Sequence, residues 1–227
     1  MDVRRTDAPR LLVSGAWEFL RPTGDPEPGQ TLAALNEAFN VMRYDVGLLS
    51  AREAEALRKD DVPLPSWRKS AEQEAFTVVT IQDGRKIGFL RFPSLPNGTD
   101  DEVPQDLVTR LSKQIRENRS KVDLLIALTD WGWVAENAYL KSNPEYVPDM
   151  LFGSGNGSGI NGRVLADGRC LWVRPYDKGR SISEVNVLQW PKRENSFAWD
   201  EAKNYTSASV GMNDAIKDNP DINALFE

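Results

Sequence analysis

The stretch "LFGSGNGSGING", residues 151–162, carries most of what this sequence can say about chemistry. Two apolar residues that read as the end of a buried strand run into a loop of Gly, Ser and Asn. Such a loop can cradle an anion on backbone N–H groups, or it can be what is left where bulky functional side chains have become glycine. The phosphate-cradle pattern needs Gly-x-x-x-x-Gly-Lys-Ser/Thr opening a helix; no Lys follows here, and "INGRVLA" reads as a strand. The chain has no histidine, which excludes Ser-His-Asp and Cys-His catalysis and every His-ligated metal site. Its one cysteine, Cys170, lies in the apolar run "GRCLWVRP" and reads as a buried, inert thiol, with no second cysteine for a disulfide.

Carboxylates are the remaining candidates. Asp130, Glu53, Asp45 and Glu18 are the acids an all-oxygen Mg²⁺ or Ca²⁺ site would draw on. Arg52 opposes that use, because a fixed guanidinium repels bound cations; it pairs more naturally with Asp130 or Glu18, or serves as the contact for an anion. Seven tryptophans are many for this length. Trp172 and Trp190 sit in strand-like runs and read as core. Trp131 and Trp133 either fill a pocket beside the strand they follow or anchor a partner. Asn97, Asn118, Asn156 and Asn204 match the glycosylation acceptor pattern, which is short enough to recur by chance.

The elements that must position these residues alternate between strand and helix. "LLVS" (11–14) is a short buried strand and "RPTGDPEPGQ" (21–30) a Pro/Gly loop. Leu32, Leu35, Ala38, Phe39 and Met42 have helical spacing, with Thr31 as N-cap. A strand at 46–50 and a helix at 51–59 follow. Residues 75–92 form a hairpin turning at Asp83-Gly84. Residues 104–118 are an amphipathic helix, 122–130 a continuous apolar strand buried on both faces, 133–142 a helix and 149–153 another buried strand. "RVLA", "RCLWVRP" and "SISEVNVLQW" read as antiparallel strands, and the polar tail ends in a weak helix. This order predicts a layered α/β domain with a mixed sheet.

The 227 residues are 40% hydrophobic and 27% charged, with a formal charge of −6. That composition is ordinary for a globular chain able to bury its own core. With no long basic run, nucleic acid is not an expected partner. No apolar run is long enough to span a bilayer, and the start, "MDVRRTDAPRLLVSG", is too short in apolar residues for a signal peptide.

The order of these segments resembles the metallophosphoesterase domain of the 5′-nucleotidase / UDP-sugar hydrolase family, within the calcineurin-like phosphoesterases. "LLVSGAWEFL" is similar to the family's "LLLDAGDFL", "NVMRYDVGLLSAREAEAL" to "NLLGYDAVTLGNHEFDYG", and "FTVVTIQDGRKIGFLRF" to "VKEVGGVKIGVIGL". "VDLLIALTDWGW" is similar to "ADLVIALSHLGL", "VPDMLFGSGNGSG" to "GIDLILGGHSHT", and residues 162–187 to the strand pair that follows. The resemblance implies a calcineurin-like α/β/β/α sandwich with mixed sheets over residues 1–200, then a C-terminal extension or linker over 201–227. It also implies that the family's N-terminal strand, which carries Asp-x-His, is missing.

The family's chemistry rests on two divalent cations. By the resemblance, their Asn ligand falls on Ala51, the catalytic His on Arg52, a ligand His on Asp130, two more on Gly155 and Gly157, and the bridging Asp on Trp17, or on Glu18 if the turn shifts by one. Asp45 matches a structural aspartate. The expectation is therefore a degenerate, catalytically inactive phosphoesterase-like domain with no cofactor, serving as a structural or protein-binding module. A partner strand, or a second copy, would dock at the edge next to Leu11–Gly15. The alternatives are a phosphoesterase with a rearranged carboxylate metal site, and nucleotide or phosphate binding without turnover at Arg52. The family resemblance also implies a periplasmic or extracellular location.

Overall fold

The structure, a computed structural model, describes residues 9–23, 28–176, 179–192 and 197–227. Residues 1–8, and 24–27 of the Pro/Gly loop, lie outside it. Four layers stack on one another. The central one is a six-stranded sheet of β4 (Phe76–Thr80), β5 (Lys86–Arg91), β6 (Leu124–Thr129), β7 (Met150–Gly153), β9 (Cys170–Arg174) and β8 (Ile160–Leu165), in that spatial order. Strands β5, β6, β7 and β9 are parallel, while β4 and β8 close the two edges antiparallel. The sheet is mixed, as the strand–helix alternation requires.

Alternation along β6 explains why the sequence there is apolar without a break. Leu125 and Ala127 face a core formed with Leu107, Leu111 and Ile115 of α3 (Gln105–Arg119) and Ala135, Tyr139 and Leu140 of α4 (Trp133–Lys141). Leu124, Ile126 and Leu128 face the opposite way. There they meet a second β layer made of two pieces. One is the parallel sheet β1 (Val13–Ser14), β2 (Val46–Leu48) and β3 (Arg68–Lys69); the other is the ribbon β10 (Ser181–Val187) and β11 (Tyr205–Gly211). A third core, of Phe19, Leu32, Phe39, Leu49 and Leu57, sits under α1 (Gly29–Met42) and α2 (Ala51–Lys59). The layers are thus α/β/β/α, the calcineurin-like arrangement.

Three local outcomes differ from the sequence reading. Helix α1 starts at Gly29 with Pro28 as N-cap, so Thr31 lies inside the helix and caps nothing. Strand β3 is two residues long, too short to leave a period. Strand β11 falls in residues expected as C-terminal extension; its small and polar residues show no apolar alternation, yet all seven pair with β10. Past it, α5 (Pro220–Asn223) is capped by Asn219.

Arg91 ties the two β layers together. Its side chain is buried, with Nε donating to Gly47 O of β2 at 2.9 Å and Nη1 to Glu74 O at 3.0 Å and Thr77 Oγ1 at 2.8 Å. Two carbonyls and a hydroxyl satisfy a charge that has been taken out of water. Replacing it by an apolar chain of similar length leaves those acceptors without donors, at roughly 1–3 kcal/mol for each orphaned group. Arg91→Met is expected to lower the unfolding free energy by several kcal/mol, read as a lower urea midpoint; an unchanged midpoint would show that water replaces the guanidinium without loss.

Candidate functional site

The ends of β2, β5, β6 and β7 converge, and the residues singled out in the sequence divide between those gathered there and those left outside. Asp130 follows β6 and is buried. Its Oδ2 accepts a 2.5 Å hydrogen bond from Ser94 Oγ, and that hydroxyl oxygen accepts Ala51 N–H, at the start of α2, at 2.9 Å. Trp17 bends into the same place. Its backbone is in the left-handed region, φ 66°, where a bulky residue is strained, and its indole N–H donates to Asp130 O at 3.0 Å. A β-carbon at Gly155 would lie 2.8 Å from that same carbonyl. Trp17, Ala51, Asp130 and Gly155 therefore meet in one pocket, although they are far apart in sequence.

Other candidates do different work. Glu53 is fully buried but belongs to a capping box: Ser50 Oγ accepts Glu53 N–H, Glu53 Oε2 accepts Ser50 N–H, and Oε1 accepts Phe19 N–H at 2.9 Å. The Ser-x-x-Glu spacing made this legible in sequence, but the acid was read there as a ligand candidate. Asp45 accepts Leu12 N–H at 2.8 Å, at the opposite end of the parallel strands. Glu18 is exposed. Arg52 donates from Nη1 to Pro22 O at 3.1 Å, and the charges acting on Asp130 are those of Glu53 and Glu72, both of like sign. The pairing of Arg52 with Asp130 is thus replaced by a serine contact. Glu53 acts electrostatically on both Asp130 and Glu18, yet among the described residues no group of three or more Asp, Glu or Cys side chains is placed to hold a metal ion.

Burial pushes the Asp130 carboxyl up to about 7, with the Ser94 hydrogen bond pulling it down and Glu53 pushing it further up. Its buried Oδ1 has no hydrogen-bond partner.

The glycine loop lies against the start of α4 and is held there by groups the sequence reading did not single out. Gly132 N–H donates to Ser154 O at 3.0 Å, Trp133 N–H to Asn156 O at 2.8 Å, and Val134 N–H to Asp100 Oδ1 at 3.1 Å. Asn156 N–H points at Thr99 Oγ1, 3.4 Å away. The N–H groups that open α4, and those of Ser154 and Asn156 in the loop, are already committed within the chain. Beneath the loop, Arg174 donates to Gly155 O and Asn156 O at 2.9 and 2.8 Å and to Glu136 Oε2 at 2.9 Å; Trp172 Nε1 donates to the same oxygen at 2.7 Å. Glu136 and Arg174 are 0% and 2% exposed at their side chains. Burial raises the Glu136 carboxyl, and Arg174 with Trp172 opposes the rise; with both donors on one oxygen, the geometry favours the ionised pair. Trp131 is core, edge-on to Tyr139 with its N–H on Pro93 O at 2.8 Å, while Trp133 is half-buried beside Trp172.

No protein-family profile and no curated protein matches this sequence. Solved structures do match in shape. The sulfate thiohydrolase SoxB of Thermus thermophilus, in complex with glycerol, superposes with a TM-score of 0.64 at 12% identity, over 95% of this chain and 41% of its own. A 5′-nucleotidase precursor, also from Thermus thermophilus, gives 0.59 at 12% identity, over 91% and 46%. A 5′-nucleotidase from Candida albicans gives 0.50 at 13%, over 89% and 43%. The chain spans less than half the length of these structures. At such identities the likeness is one of fold: a 5′-nucleotidase-like, calcineurin-like sandwich.

The metal pair implied by that fold does not fit the residues present. Ala51 has no ligating side chain, Asp130 has one oxygen already bonded to Ser94, and positions 155 and 157 carry no side chain.

Two outcomes follow for the buried charges. The Asp130 carboxyl titrates higher folded than unfolded, so the stability it contributes is present below about pH 4 and is lost as pH rises through about 7. Asp130→Asn is expected to leave the unfolding free energy unchanged at acid pH and to raise it above the parent's at pH 8, by a few kcal/mol, on the order of 1.4 per pKa unit. Parallel pH profiles for variant and parent would contradict this. Arg174→Met strands a buried carboxylate and is expected to cost about 3–5 kcal/mol, whereas Glu136→Gln combined with Arg174→Met recovers much of the loss; denaturant melts of the three variants test both.

Proposed function

We propose that this chain is a catalytically inactive phosphoesterase-like domain that serves as a structural or protein-binding module. The observation that carries the reading is what surrounds Asp130: its Oδ2 is bonded to Ser94, Trp17 donates to its backbone carbonyl, and Ala51, Gly155 and Gly157 bring no ligating side chain beside it. On this reading Trp17, Glu18, Ala51, Arg52, Asp130, Gly155 and Gly157 are vestiges of a metal site. The partner is a polypeptide that adds a strand at the outer edge of β1, next to Leu11–Gly15. Backbone alternation supports this. Leu12 turns its N–H and C=O toward Asp45 and Val46, so Val13 turns its own away from β2, and among the described residues β2 is the strand that pairs with β1. On this reading the domain belongs to the periplasmic or extracellular space, as its resemblance to the 5′-nucleotidase family implies. No helix among the described residues is long and apolar enough to cross a membrane.

Incubated with Mn²⁺, Zn²⁺ or Mg²⁺, the protein is expected to retain no stoichiometric metal after dialysis and to release no phosphate from a nucleotide or an aryl phosphate. Elemental analysis and a phosphate assay check this, and metal-dependent turnover would overturn the reading. The Val13 amide is expected to exchange rapidly in the isolated chain and slowly once a partner strand is bound. Hydrogen exchange that is already slow at Val13 in a monodisperse monomer would rule out docking at this edge.

A further inference from the structure

Absent ligand side chains and a closed pocket are different conditions, and only the first is readable from sequence. At Gly155 (φ 92°) an added β-carbon would lie 2.7 Å from Thr99 Oγ1 and 2.8 Å from Asp130 O. At Gly157 (φ 108°) it would overlap Trp133 Cβ, and at Gly153 it would overlap the Glu136 carboxylate. Both positive φ values lie where side chains are strained even in open space. These neighbours are anchored. Thr99 belongs to the 97–101 segment, whose Asp100 accepts Val134 N–H and donates its own N–H to Trp131 O at 2.5 Å. Trp133 opens α4 with its N–H on Asn156 O, and Glu136 is held by Trp172 and Arg174. On the other side, Ala16 N–H donates to Ser154 Oγ at 3.0 Å, and that hydroxyl donates to Thr129 O at 2.7 Å.

We infer that the chain has filled the space beside Gly153, Gly155 and Gly157 from inside, with the 97–101 segment and the start of α4 packed where side chains at those positions would lie, while Ala51 and Gly157 stay exposed. Binding of a divalent metal or phosphate is therefore not recoverable by restoring ligand side chains on this loop. The inference concerns the same pocket as the proposed function but is separable from it: a pocket can lack ligands and still be open.

The test is a restored variant of the full chain, Ala51→Asn, Asp130→His, Gly155→His and Gly157→His, titrated calorimetrically with Mn²⁺ and with inorganic phosphate beside the parent. The restored variant, which still lacks the bridging Asp and the Asp-x-His ligands, is expected to unfold with its folding equilibrium lowered more than roughly tenfold; an equilibrium unchanged from the parent's would show that the four side chains fit and would overturn the inference. Because that variant can fail to fold, a cycle of Gly157→Ala, Trp133→Gly and the pair provides an independent reading. Removing the Trp133 side chain is expected to relieve the alanine, so the two losses fall short of additivity. Additive losses would show that Trp133 does not close the site and would overturn the inference, as would Mn²⁺ binding by the restored variant with an inert parent. Binding and turnover by the parent itself would instead overturn the proposed function.

Discussion

The close approach of the 153–157 loop to the first turn of α4 is the constraint from which the rest of this pocket follows. The loop lies so near the helix that the N–H groups of Gly132 and Trp133, where that turn begins, are both taken up by its carbonyls. A separation that small tolerates hydrogen atoms in place of side chains, which is why 153, 155 and 157 are all glycine. Arg174 holds the arrangement from below, with its charge shared between two loop carbonyls and Glu136. The N–H groups that open α4 are thus not available to an anion. The glycine-rich loop therefore reads as a packing solution, although its composition would equally suit a cradle.

Buried cations recur in this fold, and backbone carbonyls supply much of their bonding. Arg91 spans the two β layers in this way. Arg68 donates to Leu48 O and Gly15 O while its guanidinium lies 4.8 and 4.5 Å from the ring centres of Phe19 and Phe39. Such contacts offset the desolvation of the charge and lock the backbone segments they join. Asp130 is the contrast: a buried carboxyl whose bonding partner is a neutral hydroxyl and whose charged neighbours are acids. Burial among those neighbours holds its carboxyl above the usual carboxylate range.

What relates this chain to 5′-nucleotidases and to SoxB is the layered scaffold, shared at 12–13% identity. At that distance the sandwich is carried by alternation of apolar residues, which many sequences satisfy, while the chemistry at the strand ends depends on a few side chains that few sequences supply. Residues after β2, β6 and β7 are positioned by the scaffold whatever they are. Their identity decides whether the pocket holds ions or is filled by the chain's own indole, threonine and carbonyl groups.

The sequence by itself determined the layers. Continuous apolar runs at 124–129 and 150–153, helical spacing in α3, and an Asp-Gly turn between β4 and β5 each encode local geometry within a few residues, and local geometry is enough to set a sheet between helices. It also determined that no histidine chemistry occurs, since composition alone excludes it. Strand β11 escaped because its stability comes from pairing with β10, not from a period of its own. The roles of Ser94, Asp100 and Glu136 were decided by tertiary structure: each bonds a partner in another segment, and nothing local marks which of several acids or hydroxyls will meet it. Arg52 was read as the partner of Asp130 or Glu18 because opposite charges attract. The fold instead turned Asp130 inward to Ser94 and aimed Arg52 at Pro22 O, because the register of strands and helices, not charge, fixes which side chains come within reach.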